Sequence, residues 1–169
     1  MTTGLFASAG AGLLSLTSVM NSAFAYADPV TLIIGGSGIP IPPPEYISDA
    51  FTKFIEPQFG DLGFTQPPTG LFTPEQLYPI YPPPGPEATV VKQLPFATSV
   101  YQDTQILDQT IETGVKNGDT FAVYGESQSS TVSGLAMTDL NAAGVPSSDV
   151  HFALVGDPDT PFGGLLTRF

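Results

Sequence analysis

The chain has 169 residues, of which 41% are hydrophobic, and its 4 basic and 16 acidic side chains give a formal net charge of -12. This length and apolar content predict one folded domain with a substantial core. The negative charge argues against nucleic acid as a partner, because phosphate backbones would be repelled. The absence of cysteine excludes disulfides and thiolate metal sites, and a single histidine argues against a histidine-built metal site. A metal site built from cysteine or histidine is therefore not expected.

The first 27 residues carry an apolar run at 5–20, followed by alternating small residues at 23–27. This order is typical of a secretory signal and its cleavage site, although residues 1–4 lack the lysine or arginine that usually precedes the apolar run. The alternative is a loose N-terminal extension. The signal interpretation predicts a secreted or cell-envelope location, and either interpretation starts the folded domain, 28–169, after this segment.

The first predicted strand, residues 30–34, is almost wholly apolar and runs directly into Gly35-Gly36-Ser37-Gly38. Such a run is typical of a buried strand in a parallel sheet. The glycine spacing differs from that of a dinucleotide site, and prolines follow where a helix should hold the pyrophosphate, so we reject that function. Two hypotheses remain: an oxyanion hole that uses the backbone N–H groups of Ser37 and Gly38, or a tight turn without a ligand.

The next segments are a helix and a proline-rich insertion. Apolar residues at helical spacing predict a helix over 44–55, with Pro57 as its end. The insertion, at about 57–86, interleaves prolines with aromatic residues and is interpreted either as an apolar wall or lid over a substrate or as a polyproline ligand or rigid linker. A short strand is expected at 88–94.

The helix that follows is predicted to open with a capping box at Ser99 and to close at Gly118. One apolar stripe indicates its core face. Its carboxylates are assigned to the solvated face and given no chemistry: Asp103, Asp108 and Glu112.

A second glycine-containing motif follows the strand predicted at 121–125. Gly125-Glu126-Ser127-Gln128-Ser129 precedes a helical pattern that ends at Gly144. Strand, Gly-x-Ser-x-small and helix is the order that a nucleophile elbow requires, with Ser127 as nucleophile, although Ser129 stands where a second glycine is commoner. The N–H of Gln128 would then join the candidate oxyanion donors. The alternative is a serine-rich turn that merely links strand and helix.

The last predicted strand, 149–156, contains His151 and is followed by Asp157. Because His151 lies within an apolar strand, we interpret it as a structural residue rather than as the base that must reach the serine hydroxyl. Asp157 lies at a strand end where an acid partner could stand. With no histidine to orient, the better interpretation is a turn residue before Pro158.

Four segments together resemble the PE-PPE domain of mycobacterial proteins: 31–40 (TLIIGGSGIP), 73–79 (TPEQLYP), 125–129 (GESQS) and 154–169 (LVGDPDTPFGGLLTRF). The resemblance covers nearly everything from Asp28 onward. It implies a serine esterase or lipase of the α/β-hydrolase type, often exported or associated with the cell envelope. Of the family's functional residues, the nucleophile corresponds to Ser127 and the oxyanion donor after it to Gln128. The family's acid and histidine would lie after residue 169.

The resulting expectation is a partial α/β-hydrolase-like parallel sheet with helices on both faces. The preferred function is hydrolysis of small-molecule or lipid carboxylic esters through Ser127, weakened by the missing base. This function needs no metal and no cofactor. The alternative is a non-catalytic secreted or cell-envelope protein that retains a degenerate hydrolase domain. A third hypothesis, a proline-rich interaction module, rests on Pro82-Pro83-Pro84. The sequence predicts no oligomeric state.

Overall fold

The computed structural model describes residues 28–78 and 94–168. The predicted signal or extension at 1–27 and nearly all of the strand predicted at 88–94 lie outside the described residues, as does the second part of the proline-rich insertion. Within the described part of the chain, no helix combines the length and the hydropathy needed to cross a membrane.

Four parallel strands form the sheet, in the spatial order β2, β1, β3, β4. They are β1 (Pro29–Ile33), β2 (Thr69–Gly70), β3 (Thr120–Glu126) and β4 (Val150–Val155). The central pair β1 and β3 is the most buried. The carboxyl ends of parallel strands meet at one edge of the sheet, so the glycine loop after β1 and the serine motif after β3 are brought side by side.

Helices cover both faces of this sheet, which confirms the predicted fold class. One face packs against α3 (Phe96–Asn117) and α4 (Gln128–Ala142), and the other packs against α1 (Pro44–Ala50) and the turns that follow it. Side chains alternate between the faces along each strand, as pleated strands require. The buried strand residues of the first face are Leu32, Phe121 and Val123, and those of the second are Ile33, Ala122, Tyr124 and Ala153.

The prediction that Pro57 ends the first helix is wrong. The helical path continues from α1 through a π-helical turn (Phe51–Ile55) and α2 (Glu56–Phe59) to a short 3-10 turn, Gly60–Leu62. Pro57 falls in the first turn of α2, where its missing N–H is not needed. The segment ends instead at Gly63, whose φ of 98° suits glycine.

The start of α3 and the burial of its carboxylates also differ from the prediction. The helix begins at Phe96 after Pro95, so Ser99 lies within its first turn and forms no capping box. Asp103 is fully buried rather than solvated, and Asp108 is partly buried. Glu112 agrees better with the predicted solvated face, because it forms a salt bridge with the exposed side chain of Lys116. The predicted end at Gly118, with φ 97°, is confirmed.

We predict opposite effects of alanine at two helical glycines. A Cβ at Gly114 in α3 would lie 2.3 Å from the ring of Phe121, whereas a Cβ at Gly134 in α4 would meet nothing within 4 Å. Gly114→Ala should lower the free energy of unfolding by about 1–3 kcal/mol through overpacking. Gly134→Ala should raise it by about 0.5–1 kcal/mol, because alanine favours the helix. Urea unfolding of both variants is the measurement, and equal stability of the two would contradict this packing of α3 on β3.

Candidate active site

Ser127 has the backbone geometry of a nucleophile elbow. It joins β3 to α4 with φ 54° and ψ -115°, a left-handed conformation that is strained for any residue but glycine. Its N–H donates to the carbonyl of Val155 at 2.9 Å, and its own carbonyl accepts the N–H of Ser130 at 3.0 Å. The turn is thus held from β4 on one side and from α4 on the other. The structure supports the elbow interpretation over a simple connecting turn.

The two glycines beside Ser127 give the elbow its room. A Cβ at Gly125 would lie 2.7 Å from the carbonyl oxygen of Ser129, and a Cβ at Gly36 would lie 3.3 Å from the carbonyl oxygen of Glu126. The first contact is too short for any real side chain. The second, which also places Gly36 close to the Cβ of Ser127, shows how tightly the loop after β1 approaches the elbow.

Ser129, which replaces the commoner second glycine, stabilises the elbow through its hydroxyl. Its Oγ accepts the N–H of Glu126 at 2.7 Å and donates to the carbonyl of the same residue at 3.0 Å. Ser130 adds a second clamp, since its hydroxyl lies 2.9 Å from the carbonyl of Gly125 and 3.0 Å from that of Val155. The departure from the glycine motif therefore adds hydrogen bonds without blocking the turn.

The loop after β1 is tied to the residue after the nucleophile. The hydroxyl of Ser37 donates to Oε1 of Gln128 at 2.7 Å. The N–H of Gly38, one of the predicted oxyanion donors, instead donates to the carbonyl of Glu75 at 2.7 Å. Among the described residues, the N–H groups of Ser37 and Gln128 donate to no backbone carbonyl. These two are the candidate donors that the geometry leaves available.

His151 lies far from Ser127 and is packed among aromatic rings. It pairs with Ala122 in the sheet register, whereas Ser127 follows the last residue of β3. Five residues of strand at about 3.3 Å each separate the two levels by roughly 16 Å. The imidazole stacks on Phe59 and meets the edge of Phe64, with ring centroids 5.4 Å and 5.7 Å away. This environment agrees with the structural interpretation.

Asp157 closes the turn after β4. Its Oδ1 accepts the N–H of Asp159 at 2.9 Å, and its carbonyl accepts the hydroxyl of Thr160 at 3.0 Å. Asp159 in turn accepts the hydroxyl of Thr131 from α4 at 2.7 Å. The side chain of Asp157 thus acts as the turn residue that the sequence favoured, and it orients no histidine among the described residues.

Behind the elbow lies a buried polar network that the sequence did not reveal. The side chain of Gln128 is only 1% exposed, and its amide nitrogen lies 3.1 Å from Oγ of Ser99 and 3.3 Å from Oδ2 of Asp103. Ser99 also donates to Asp103 at 3.0 Å. The amide nitrogen lies 3.2 Å from the carbonyl of Gln76 as well. Gln128 therefore connects the elbow to α3.

Glu75 completes this network from the loop after β2. It is fully buried, has a φ of 46°, and accepts the hydroxyl of Thr73 at 3.0 Å. Burial and the nearby carboxylate of Asp103 raise the pKa of Glu75 to about 9, so Glu75 is neutral at pH 7. Burial also raises the pKa of Asp103 to about 6, against hydrogen bonds from Ser99, the backbone of Glu75 and Gln128. Asp103 is therefore mostly charged at pH 7.

A tyrosine and a glutamate flank the elbow on the opposite face of the sheet. The hydroxyl of Tyr46 donates to Oε2 of Glu126 at 2.6 Å, and its ring meets Tyr124 edge to face. Burial, followed by the hydrogen bond to Glu126, raises the pKa of Tyr46 well above its usual value. Tyr46 therefore stays protonated and holds Glu126, the residue directly before Ser127.

Comparison with known proteins decides the family. A model of the "PE-PPE domain" family matches residues 65–169. The chain belongs to the PE-PPE domain family. It is 36% identical over 157 residues, 92% of its length, to the uncharacterized PPE family protein PPE28 of Mycobacterium tuberculosis, and 32% identical over 165 residues, 95% of its length, to Esterase PE16 of the same organism. It spans 22% and 29% of those two proteins, less than a third of each.

The sequence did contain weak signals for the residues it missed. Asp103 stands four residues before Leu107 and four after Ser99, so it lies on the buried stripe of α3. Glu75 belongs to the 73–79 segment that contributes to the PE-PPE resemblance. Neither position could be recognised as part of one cluster before the fold brought β2, α3 and the elbow together.

We predict that the strained backbone at Ser127 lowers the free energy of unfolding. Glycine adopts φ 54° freely, whereas alanine keeps the strained Cβ. Ser127→Gly should therefore be more stable than Ser127→Ala by about 1 kcal/mol, even though glycine gains more entropy on unfolding. Thermal unfolding of the two variants measures the difference. A glycine variant clearly less stable than the alanine variant would argue that the turn is unstrained.

We predict that Glu75 makes the protein less stable as pH rises above neutrality. Because its pKa of about 9 lies above the ordinary 4.5, the folded state holds a proton that the unfolded state releases. That stabilisation is fully present below pH 4.5 and is lost as pH rises through 9. Between about pH 7 and 8.5 the free energy of unfolding should fall by up to about 1.4 kcal/mol per pH unit, and less steeply in Glu75→Gln.

Urea unfolding at several pH values measures these slopes. The chosen window lies above the raised pKa of about 6 of both Asp103 and Asp108, so Glu75 contributes separately from them. Glu45→Gln, the same change at an exposed glutamate, is the control. Identical slopes for the wild type and Glu75→Gln would show that Glu75 is ionised when folded.

Proposed function

We propose that this chain carries the nucleophile and the oxyanion hole of a serine ester hydrolase. Ser127 Oγ would bond to the carbonyl carbon of an ester and lose its proton to a base. The base would return this proton to the leaving alcohol as the tetrahedral intermediate collapses to an acyl-enzyme, and water would then cleave the acyl-enzyme to release the acid and free Ser127. The N–H groups of Ser37 and Gln128 would stabilise the negative oxygen. The observation that carries the proposal is the strained backbone of Ser127 at the end of a central parallel strand.

An apolar ester, either a small molecule or a lipid, is the proposed substrate. The carbonyl of Pro40 accepts the N–H of Thr73 at 3.3 Å, and this bond joins the two segments that carry the exposed apolar side chains of Ile41 and Phe72. They are 72% and 56% exposed, so an acyl chain could cover them. The similarity to Esterase PE16 supports this class of substrate. A secreted or cell-envelope location, proposed from the apolar run at 5–20, would suit a lipid ester.

Among the residues that the structure describes, neither a histidine base nor an acid partner for one lies beside Ser127. The single histidine of the sequence, His151, is packed between Phe59 and Phe64 away from Ser127. Removal of triad members leaves a rate of only about 10³ to 10⁴ over water, from the oxyanion hole and binding. A base from outside these residues would restore the full reaction. This same observation favours the second candidate, a non-catalytic secreted or cell-envelope protein with a degenerate hydrolase domain.

Fluorophosphonate labelling at neutral pH distinguishes the two candidates. The wild-type chain should react slowly at Ser127, and Ser127→Ala should lose the label, because an oxyanion hole accelerates attack by the serine even where the base is missing. Ser147→Ala, at an exposed serine in the turn after α4, is the matched control and should label like the wild type. Circular dichroism confirms that all three proteins fold.

The labelling of the wild type and of Ser127→Ala decides between the hydrolase and the non-catalytic candidate. Labelling that is lost only in Ser127→Ala supports a hydrolase site. A folded wild-type chain that takes no label at Ser127 would overturn the hydrolase proposal for these residues and support the non-catalytic candidate.

A further inference from the structure

We propose that Asp103 and Glu75 are positioning residues, which hold the side chain of Gln128 and the loop 35–38 so that the two candidate oxyanion donors stay beside Ser127. The inference rests on the proposed hydrolase function and assigns a role to the 73–79 segment. Neither carboxyl would touch the substrate. They would act from behind the elbow, through two hydrogen-bonded paths that meet at Asp103.

The first path runs from Asp103 through Gln128 to Ser37. A carboxylate only accepts hydrogen bonds, so Asp103 fixes which end of the Gln128 amide points toward α3. The nitrogen faces Asp103 at 3.3 Å, and the oxygen therefore faces the hydroxyl of Ser37 at 2.7 Å. Ser37 and Gln128 are also the two residues whose N–H groups remain available. Asp103 thereby fixes the distance between the two donors without contacting either N–H.

The second path runs from Asp103 through Ser99 and the backbone of residues 75–76 to Gly38. Ser99 donates to Asp103 at 3.0 Å and accepts the N–H of Gln76, the residue after Glu75, at 2.8 Å. The carbonyl of Glu75 accepts the N–H of Gly38 at 2.7 Å. Glu75 holds a left-handed backbone, which the hydroxyl of Thr73 supports by donating to its side chain. The loop 35–38 is thereby anchored at both Ser37 and Gly38. The N–H of Gly38 therefore serves to anchor the loop to Glu75 rather than to bind an oxyanion.

The charges in the network suit this role at neutral pH. Among the described residues, Asp103 and Glu75 are the ionisable groups that face each other in this network, and Asp103 is the one that is charged. One oxygen of each, Oε2 of Glu75 and Oδ1 of Asp103, is buried with no hydrogen-bond partner among the described residues. Ionisation of Glu75 would place a second negative charge in this dry cluster. The loop should therefore loosen as pH rises toward 9.

Asp103→Asn is the decisive variant, because asparagine keeps the shape but can also donate, so the Gln128 amide is no longer fixed. Its fluorophosphonate labelling should be about tenfold slower than that of the wild type, and hydrogen exchange in 35–39 and 127–130 should be faster. Asp108→Asn is the matched control. Asp108 lies on the same helix and also has a raised pKa, but it forms no hydrogen bond with Gln128 among the described residues. It should match the wild type in both measurements.

A second pair of variants tests Glu75 through the pH profile. Glu75→Gln keeps a neutral hydrogen-bonding side chain and should recover most of the rate that Glu75→Leu loses. Between pH 7 and 10 the wild-type rate should fall relative to that of Glu75→Gln, because only glutamate ionises in this range. A rate ratio that does not change with pH would overturn the role of Glu75. A purely structural role would not produce such a pH-dependent ratio.

The outcomes separate this inference from the proposed function. A labelled wild type with Asp103→Asn unchanged in rate or in exchange overturns the positioning role. A wild type that takes no label overturns the proposed function, and exchange alone then decides the network: faster exchange in 35–39 supports it, and unchanged exchange overturns it. If Asp103→Asn does not fold, Ser37→Ala replaces it. That variant removes the outer end of the first path while keeping the N–H, and it should also label more slowly.

Discussion

The left-handed backbone of Ser127 is the constraint on which the rest of this site depends. A non-glycine residue in this conformation costs about 1–3 kcal/mol and persists only where surrounding contacts fix it. The structure supplies those contacts from two strands and a helix: the N–H of Ser127 bonds to β4, and the hydroxyls of Ser129 and Ser130 bond back to β3 and β4. The serines after Ser127 therefore stabilise the strained turn, and the small-residue pattern of the motif follows from the space that this turn leaves.

The parallel order of the strands explains why the remaining parts of the site lie where they do. Because β1 and β3 are neighbours and parallel, the loop after β1 must pass beside the turn after β3, and a Cβ at Gly36 would lie only 3.3 Å from the carbonyl oxygen of Glu126. Burying Gln128 under this loop then requires polar partners for its amide, since an unpaired amide would cost several kcal/mol. Ser99 and Asp103 meet that requirement, and their placement on the inner face of α3 is a consequence of the strained turn.

Periodicity and turn residues predicted the elements that bury apolar surface, and they failed where a polar group is buried or a proline is tolerated. The parallel sheet, the elbow turn and the carboxyl-terminal ends of α3 and α4 could be predicted because each has a local signal. Asp103 could not, because a carboxylate on an apolar stripe is usually solvated, and only the approach of Gln128 and Glu75 makes its burial acceptable. The prediction that Pro57 ends the first helix failed because the π-helical turn before it places Pro57 in the first turn of α2, where proline is tolerated.

The strained elbow and the missing base support different functions, and the network behind the elbow bears on that choice. A turn that only links strand and helix would be relieved of its strain by glycine, and it would not need a buried carboxylate to orient the residue that follows. Here both costs are present together: a left-handed serine and two buried carboxyls, of which Glu75 is kept neutral by burial and by the nearby charge of Asp103. Such costs are typical of sites in which fixed geometry matters more than stability. The network is therefore a reason to prefer the proposed hydrolase site to the proposed non-catalytic domain.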